Sequence, residues 1–234
     1  APTENTKVVM TGTGTQINAT KYQFYSSNNN PSYVGYMFTE GQQHGNGTPS
    51  TIKTAIDNWY KTTTLETDAA TKALVSQDQI FCNDRSASTT QTAAWTSTGA
   101  DYYYGAHGRL INKNEPQLIC PTASDKFTVN TSNGNGALTY PVGIITADEV
   151  AMAGGVYGSS NSSYYLYTNQ YYWSGSPISF FSSIAYEFDV YSSGYLGYSN
   201  VADYHGARPV VSLSSKAKLL GSGTYSNPYT VSSD

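Results

Sequence analysis

Charge is scarce in this chain of 234 residues. Its 12 Lys and Arg and 16 Asp and Glu make up 12% of the residues, against about 25% in an ordinary soluble domain. The formal net charge is −4, and no basic cluster occurs, so the footprint that attracts a phosphate backbone is missing and no nucleic-acid partner is expected. No run of about 18 apolar residues is present, which excludes a helical membrane span within these residues. Histidine is limited to His44, His107 and His205, far apart and without an H-x-x-x-H or C-x-x-C companion, so no metal centre is expected. No G-x-S-x-G elbow exists, because Gly175-Ser176-Pro177 lacks the second glycine. Gly12-Thr13-Gly14-Thr15 is too short for a nucleotide fingerprint and carries no lysine, which leaves a turn. The expectation is a protein without catalytic residues and without a cofactor.

Disorder is excluded as well, since it goes with few aromatics and high net charge, whereas 14% of this chain is aromatic. The length suits one large domain or two small ones and supports a core without metal staples. Cys82 and Cys120 are its two cysteines. An even count in a chain poor in Lys and Glu reads as one disulfide in an oxidising compartment, with two free buried thiols as the alternative. Ala1-Pro2-Thr3 reads as the start of a mature chain from which a targeting or anchoring segment has been removed.

Local patterns divide the chain into short elements. Strands are expected at Lys7–Met10, Lys21–Tyr25 and Tyr33–Thr39, the last after the turn-prone run Ser26–Ser32. Ser50 or Thr51 can cap a helix whose apolar stripe is Ile52, Ala55, Ile56 and Trp59. A weaker helix is expected over Thr67–Val75, where threonines compete for the backbone. Phe81–Cys120 is irregular and polar, with Ser86–Thr92 as a loop. Thr146 and Glu149 spell a capping box for a short helix that Gly154-Gly155 ends. Ala207–Leu213 reads as a terminal strand and Gly221–Val231 as a closing hairpin or loop.

Tyrosine is what the chain has in excess: 22 residues, more than its 21 Gly. Eleven fall between Tyr157 and Gly206, a stretch without Lys or Arg: Tyr157, Tyr164, Tyr165, Tyr167, Tyr171, Tyr172, Tyr186, Tyr191, Tyr195, Tyr198 and Tyr204. A tyrosine gives a large flat contact at low entropic cost, with a hydroxyl that donates and accepts, and Ser, Asn and Gly add adaptable hydrogen bonds. Outward tyrosines with almost no charge make a sticky surface, which a soluble protein tolerates mainly where it binds something. The bland alternative is a β-rich fold with aromatics on its outer strands. The acids Glu187 and Asp189 lie two apart on a strand and share a face. They read as a solvated strand face far more readily than as a glycosidase pair.

The order Tyr172-Trp173-Ser174-Gly175-Ser176-Pro177, Ala185, Phe188-Asp189-Val190, Gly194-Tyr195-Leu196, Val201 and Gly206-Ala207-Arg208-Pro209-Val210-Val211 resembles the C-terminal half of bacterial C-type-lectin-fold surface proteins. In that family W-S-x-S-P and G-x-R-P-V bracket the ligand-binding loops. Ile52–Tyr60, Phe81-Cys82-Asn83-Asp84-Arg85 and Tyr140–Gly155 resemble the same group's helices and cysteine site. The resemblance implies an α+β, C-type-lectin-like fold with two main helices, a small antiparallel sheet and long displayed loops. Residues 1–32 would be a β-rich N-terminal extension packed on a ligand-binding domain at 33–234, with the binding region about 157–206. One branch of the fold comprises the variable proteins of diversity-generating retroelements, and the outward residues here fit the amino acids that adenine-directed mutagenesis produces. The ligand-binding residues are then Trp173, Tyr186, Tyr191, Ser192, Tyr195, Tyr198, Ser199, Asn200, Asp203, Tyr204 and His205, with Gly197 among the outward positions. Arg208 takes a structural role, bonding loop carbonyls or an inward carboxylate. Glu115-Pro116-Gln117 only half matches a calcium-lectin motif and W-N-D is missing. The paired reactive cysteines of formylglycine-generating enzymes, which share a related fold, are not evident.

The expected function is therefore an extracellular, secreted or cell-surface module, adhesin-like, pilus-associated or retroelement-diversified. It would bind a protein or glycan on another cell, a host or a phage. A structural pilin or fimbrial subunit is the alternative, and a glycan-processing enzyme using Glu187 and Asp189 the third reading.

Overall fold

The computed structural model describes residues 16–164, 166–222, 227 and 229–232. The strand expected at Lys7–Met10, the turn at Gly12–Thr15 and Tyr165 lie outside them. Four antiparallel strands form the central sheet in chain order: β1 (Tyr102–Tyr103), β2 (Tyr172–Phe181), β3 (Ile184–Val190) and β4 (Leu196–Asn200). Two-stranded antiparallel ladders surround it, pairing Met37–Phe38 with Thr48–Pro49, Phe81–Cys82 with Lys126–Phe127, Gly143–Ile144 with Pro209–Val210, and Lys218–Leu220 with Thr230–Ser232. Helix and small antiparallel sheets are mixed along the chain, an α+β arrangement.

Strands β2 and β3 are joined by Ser182-Ser183, both at positive φ (50° and 65°), the backbone of a two-residue type I′ hairpin turn. Pro177 lacks an amide hydrogen, and the β2–β3 register shifts on both of its sides, as proline in a sheet requires. The shifts let β2 pack both ways. Trp173 and Phe180 join one core with Phe24, Ala185 and Val201, and Tyr172 and Ile178 join another with Phe188, Val190 and Leu196. Helix α1 (Thr51–Tyr60) covers the first core, and helix α2 (Ala147–Met152) covers the second.

Both helix starts follow from sequence. The Ser50 side chain accepts from the Lys53 amide, and Thr146 and Glu149 make the reciprocal capping box. The buried stripe of α1 is rotated from the expected one: it consists of Ile52, Lys53, Ile56 and Tyr60, while Ala55 and Trp59 are half-buried. Lys53 is tolerated there because its ammonium pairs with Asp57 at 2.5 Å and faces the Tyr36 ring. The helix expected over Thr67–Val75 is instead two single turns, Thr64–Thr67 and Ala69–Lys72. Asp68 stays extended between them and caps the second through Thr71. Lys21–Tyr25 forms one bridge, Tyr22 to His205, rather than a strand. A 3-10 turn, Pro31–Val34, precedes Met37–Phe38. Of Ala207–Leu213 only Pro209–Val210 is strand. Within the irregular stretch after Phe81, Gly105–His107 and Gly108–Lys113 are helical, an element the polar composition hid.

Five consecutive residues tie these parts together. Cys82 is bonded to Cys120, 38 positions on. Asn83 accepts from the Tyr36 amide and donates to the carbonyls of Val34 and Gly175. Asp84 accepts from Arg109 at 2.7 Å, and Arg109 also grips Asp148 at the start of α2 through two bonds of 2.9 Å. Arg85, fully buried, donates to Asp125 from Nε (2.9 Å) and its backbone amide (2.8 Å), holds Nη2 2.7 Å from the same carboxylate as an ion pair, and donates from Nη1 to the carbonyls of Met37 and Gly45. Phe81 starts the segment in the core.

Removing one partner of a buried ion pair leaves the other uncompensated, at a cost of roughly 3–5 kcal/mol. Asp125→Ala should lower the free energy of unfolding by that amount in urea. Lys72→Ala, which removes an exposed pair with Glu66, should change it by less than about 1 kcal/mol.

Candidate ligand-binding face

Strands β3 and β4 are joined by the turn Tyr191–Tyr195. In it the Tyr191 amide donates to the Tyr195 carbonyl, and the Gly194 amide donates back to the Tyr191 carbonyl. Gly194 sits at φ +77°, and a Cβ there would lie 1.8 Å from the Asn161 carbonyl oxygen. Asn161 donates in turn to Gly154 just beyond α2. The displayed turn is thus pinned to the segment after α2 by a contact only glycine allows.

Seven rings run along this part of the molecule in one unbroken series. His205 stacks on Tyr171 at 5.5 Å, Tyr171 meets Tyr191 at 4.8 Å, and Tyr191 meets Tyr195 at 5.1 Å. Tyr195 meets Tyr157 at 6.0 Å, Tyr157 stacks on Tyr198 at 6.5 Å, and Tyr198 takes the edge of Tyr186 at 5.6 Å. These spacings lie in the range of favourable aromatic pairs. Gly197 forms the floor, since a Cβ there would come within 2.7 Å of the Tyr195 ring and 2.8 Å of the Tyr191 ring. It is buried rather than outward. Tyr198 keeps 41% of its surface exposed and Tyr204 59%, with Asp203 exposed beside them. Burial raises the hydroxyl pKa values of Tyr157, Tyr186 and Tyr191.

The expected binding residues separate into those on this face and those beneath it. Tyr186, Tyr191, Tyr195, Tyr198 and His205 belong to the ring series, and Tyr204, Asp203 and the half-buried Ser192 stand at its margin. Trp173 is a correction: it has no exposed surface, its indole N–H donates to the Tyr22 carbonyl at 2.7 Å, and it packs edge-on against Phe24 and His205. Ser199 turns inward and donates to Asp189 at 2.6 Å, and Asn200 accepts from the Ala202 amide to shape the turn after β4. Tyr157 and Tyr171, each a link in the series, are not among the expected binding residues. Both lie outside the β3–β4 segment, and the Tyr-rich composition was the one signal available. Arg208 donates to the Leu166 carbonyl and lies over the Tyr172 ring at 4.3 Å.

The acids of β3 are the second correction. Glu187 and Asp189 are completely buried instead of forming a solvated face, because the sheet is covered on both sides. Both Glu187 oxygens lack hydrogen-bond partners among the described residues, and burial holds this carboxyl far above its ordinary range despite Arg85. Asp189 lies directly under the rings, 3.2 Å from His205 Nε2. Burial pushes its pKa up to about 7 against the Ser199 hydrogen bond. Burial also pushes His205 down to about 4 against the pull of Asp203. Among the described residues no group of three or more His, Cys, Asp or Glu is placed to hold a metal ion.

No family model matches the chain, and neither do any curated protein or solved structure.

The two shifts act on stability in opposite directions. Folded Asp189 holds more protons than the unfolded chain between about 4 and 7, so its contribution falls as pH rises through that window. Folded His205 holds fewer between about 4 and 6.5, so its contribution rises with pH there and is lost on acidification. Asp189→Asn should therefore steepen the rise of stability with pH over this range, and His205→Gln should produce a fall relative to wild type. Each difference is bounded by about 1.4 kcal/mol per pH unit. Identical pH slopes for all three proteins in urea titrations would refute the two shifts.

Proposed function

We propose that the chain is a ligand-binding module of C-type-lectin-like fold, extracellular or displayed on a bacterial surface, that grips a protein or glycan with its tyrosine series. The carrying observation is the seven-ring series around the β3–β4 turn, assembled from Tyr157, Tyr171, the β3–β4 hairpin and His205 within a stretch free of Lys and Arg. Rings of this kind contribute rigid amphipathic contact area, and low charge means that association gains little from long-range steering. The Cys82–Cys120 disulfide favours an oxidising compartment. Supporting the family reading, the W-S-x-S-P and G-x-R-P-V segments meet at one place: the Trp173 amide donates to the Gly206 carbonyl, and the Gly206 amide to the Tyr171 carbonyl. On this reading Tyr186, Tyr191, Tyr195, Tyr198, Asp203, Tyr204 and His205 are among the positions a diversity-generating retroelement would vary.

The test uses the purified chain on a panel of bacterial cells and immobilised glycans. A combined Tyr195→Ala, Tyr198→Ala and Tyr204→Ala variant should lose binding by about 100-fold or more, as expected when interface anchors are truncated. Its unfolding midpoint should stay close to that of wild type. Binding that survives in the triple variant places the site elsewhere.

A further inference from the structure

Away from the rings, the molecule holds a cavity of about 540 Å³, within the size range of small-molecule sites. One wall is the end of α2 with Met152 and Ala153, a second is the Gly143–Ile144 ladder with Val210 and Val211, and a third is Phe81 and the disulfide with Leu118 and Ile119. Its chemistry is the opposite of the binding face. Among the described residues no tyrosine or tryptophan lines it, and Phe81 is its one aromatic residue. Branched aliphatic side chains, Met152, Ala153 and the disulfide make up the rest of the apolar lining. Ile119 (68% exposed) and Met152 (49%), among the most exposed large apolar side chains described, both belong to it.

The polar groups narrow the occupant. Arg109 is consumed by Asp84 and Asp148, and Glu149 by the α2 capping box. Lys126 is the remaining cation, so the lining carries two positive and three negative groups and offers no excess of positive charge for an anion. Ser176 is 4% exposed and accepts from the Ala147 amide at 2.9 Å, yet among the described residues its own hydroxyl hydrogen has no acceptor. We infer that this cavity is a second binding site, for an uncharged aliphatic molecule that carries an oxygen acceptor for the Ser176 hydroxyl. Aliphatic walls without stacking rings suit a flexible saturated chain and not a sugar.

The experiment titrates the full chain with 1-aminoanthracene, a neutral fluorescent probe, and displaces it with 1-octanol, octanoate or glucose. Saturable one-to-one enhancement is expected, displaced by 1-octanol at least tenfold more readily than by octanoate and not by glucose. Ala153→Trp, which fills the cavity, should abolish the enhancement. Ser176→Ala should weaken 1-octanol about three- to tenfold while leaving octane unchanged. The triple tyrosine variant should bind the probe like wild type, which separates this site from the ring face. Absence of saturable enhancement, or enhancement that persists in Ala153→Trp, overturns the site. Equal displacement by octanoate and 1-octanol overturns the choice of an uncharged ligand.

Discussion

A guanidinium with no exposed surface must be matched inside the protein, and Arg85 is matched by Asp125. The pair joins parts of the chain that are distant in sequence. Arg85 reaches the carbonyls of Met37 and Gly45, and Asp125 receives the Arg85 amide and lies 2.9 Å from His44. Two residues earlier, Asn83 links Val34 and Tyr36 to Gly175 in the middle of β2. With the disulfide from Cys82, whose loop is worth about 4 kcal/mol in the chain-entropy model, this segment fixes the long irregular excursions against the sheet. A chain with short helices and two-residue ladders has little regular secondary structure to rely on. Its order depends on such buried polar junctions, each costly to break because the remaining partner is left unpaired.

The sheet those junctions hold is covered on both faces, and this explains the acids of β3. Glu187 and Asp189 face inward with β2 on one side and β4 on the other, so burial keeps both carboxyls above their usual range. Asp189 lies 3.2 Å from His205, the first ring of the series, so the support of the face is itself polar and titratable. Two glycines shape the ring series, Gly194 fixing the turn and Gly197 leaving room for the rings to settle, and the Tyr191 hydroxyl donates to the Tyr198 carbonyl. The rings therefore contribute contact area to the outside and little to the interior junctions.

Legibility from sequence followed how local each cause is. Both caps were readable because Ser50 and the Thr146–Glu149 box act within four residues. The disulfide followed from a count of two. The tyrosine face was readable as composition, but its membership was not, since Tyr157 and Tyr171 enter the series through tertiary contacts with β3 and β4. Trp173 was misplaced because an aromatic in a binding-like motif and an aromatic in a core look alike until Phe24 and Tyr22 are known to cover it. Glu187 and Asp189 were misread for a related reason: alternation along a strand tells which residues share a face, not whether the other side of that face is solvent. The rotation of the α1 stripe toward Lys53 and Tyr60 depended on Asp57 and Tyr36 being placed to receive an ammonium.

On the proposed function, the scaffold tolerates almost no change and the ring face a great deal. A saturation library at Asn83, Arg85, Trp173, Arg208, Tyr186, Tyr195, Tyr198 and Tyr204, displayed on cells and sorted for protease resistance, measures this directly. The prediction is that Asn83, Arg85, Trp173 and Arg208 accept few or no substitutions, while most residues survive at the four tyrosine positions. Equal intolerance at both sets would contradict it, because the tyrosines would then be part of what holds the fold together.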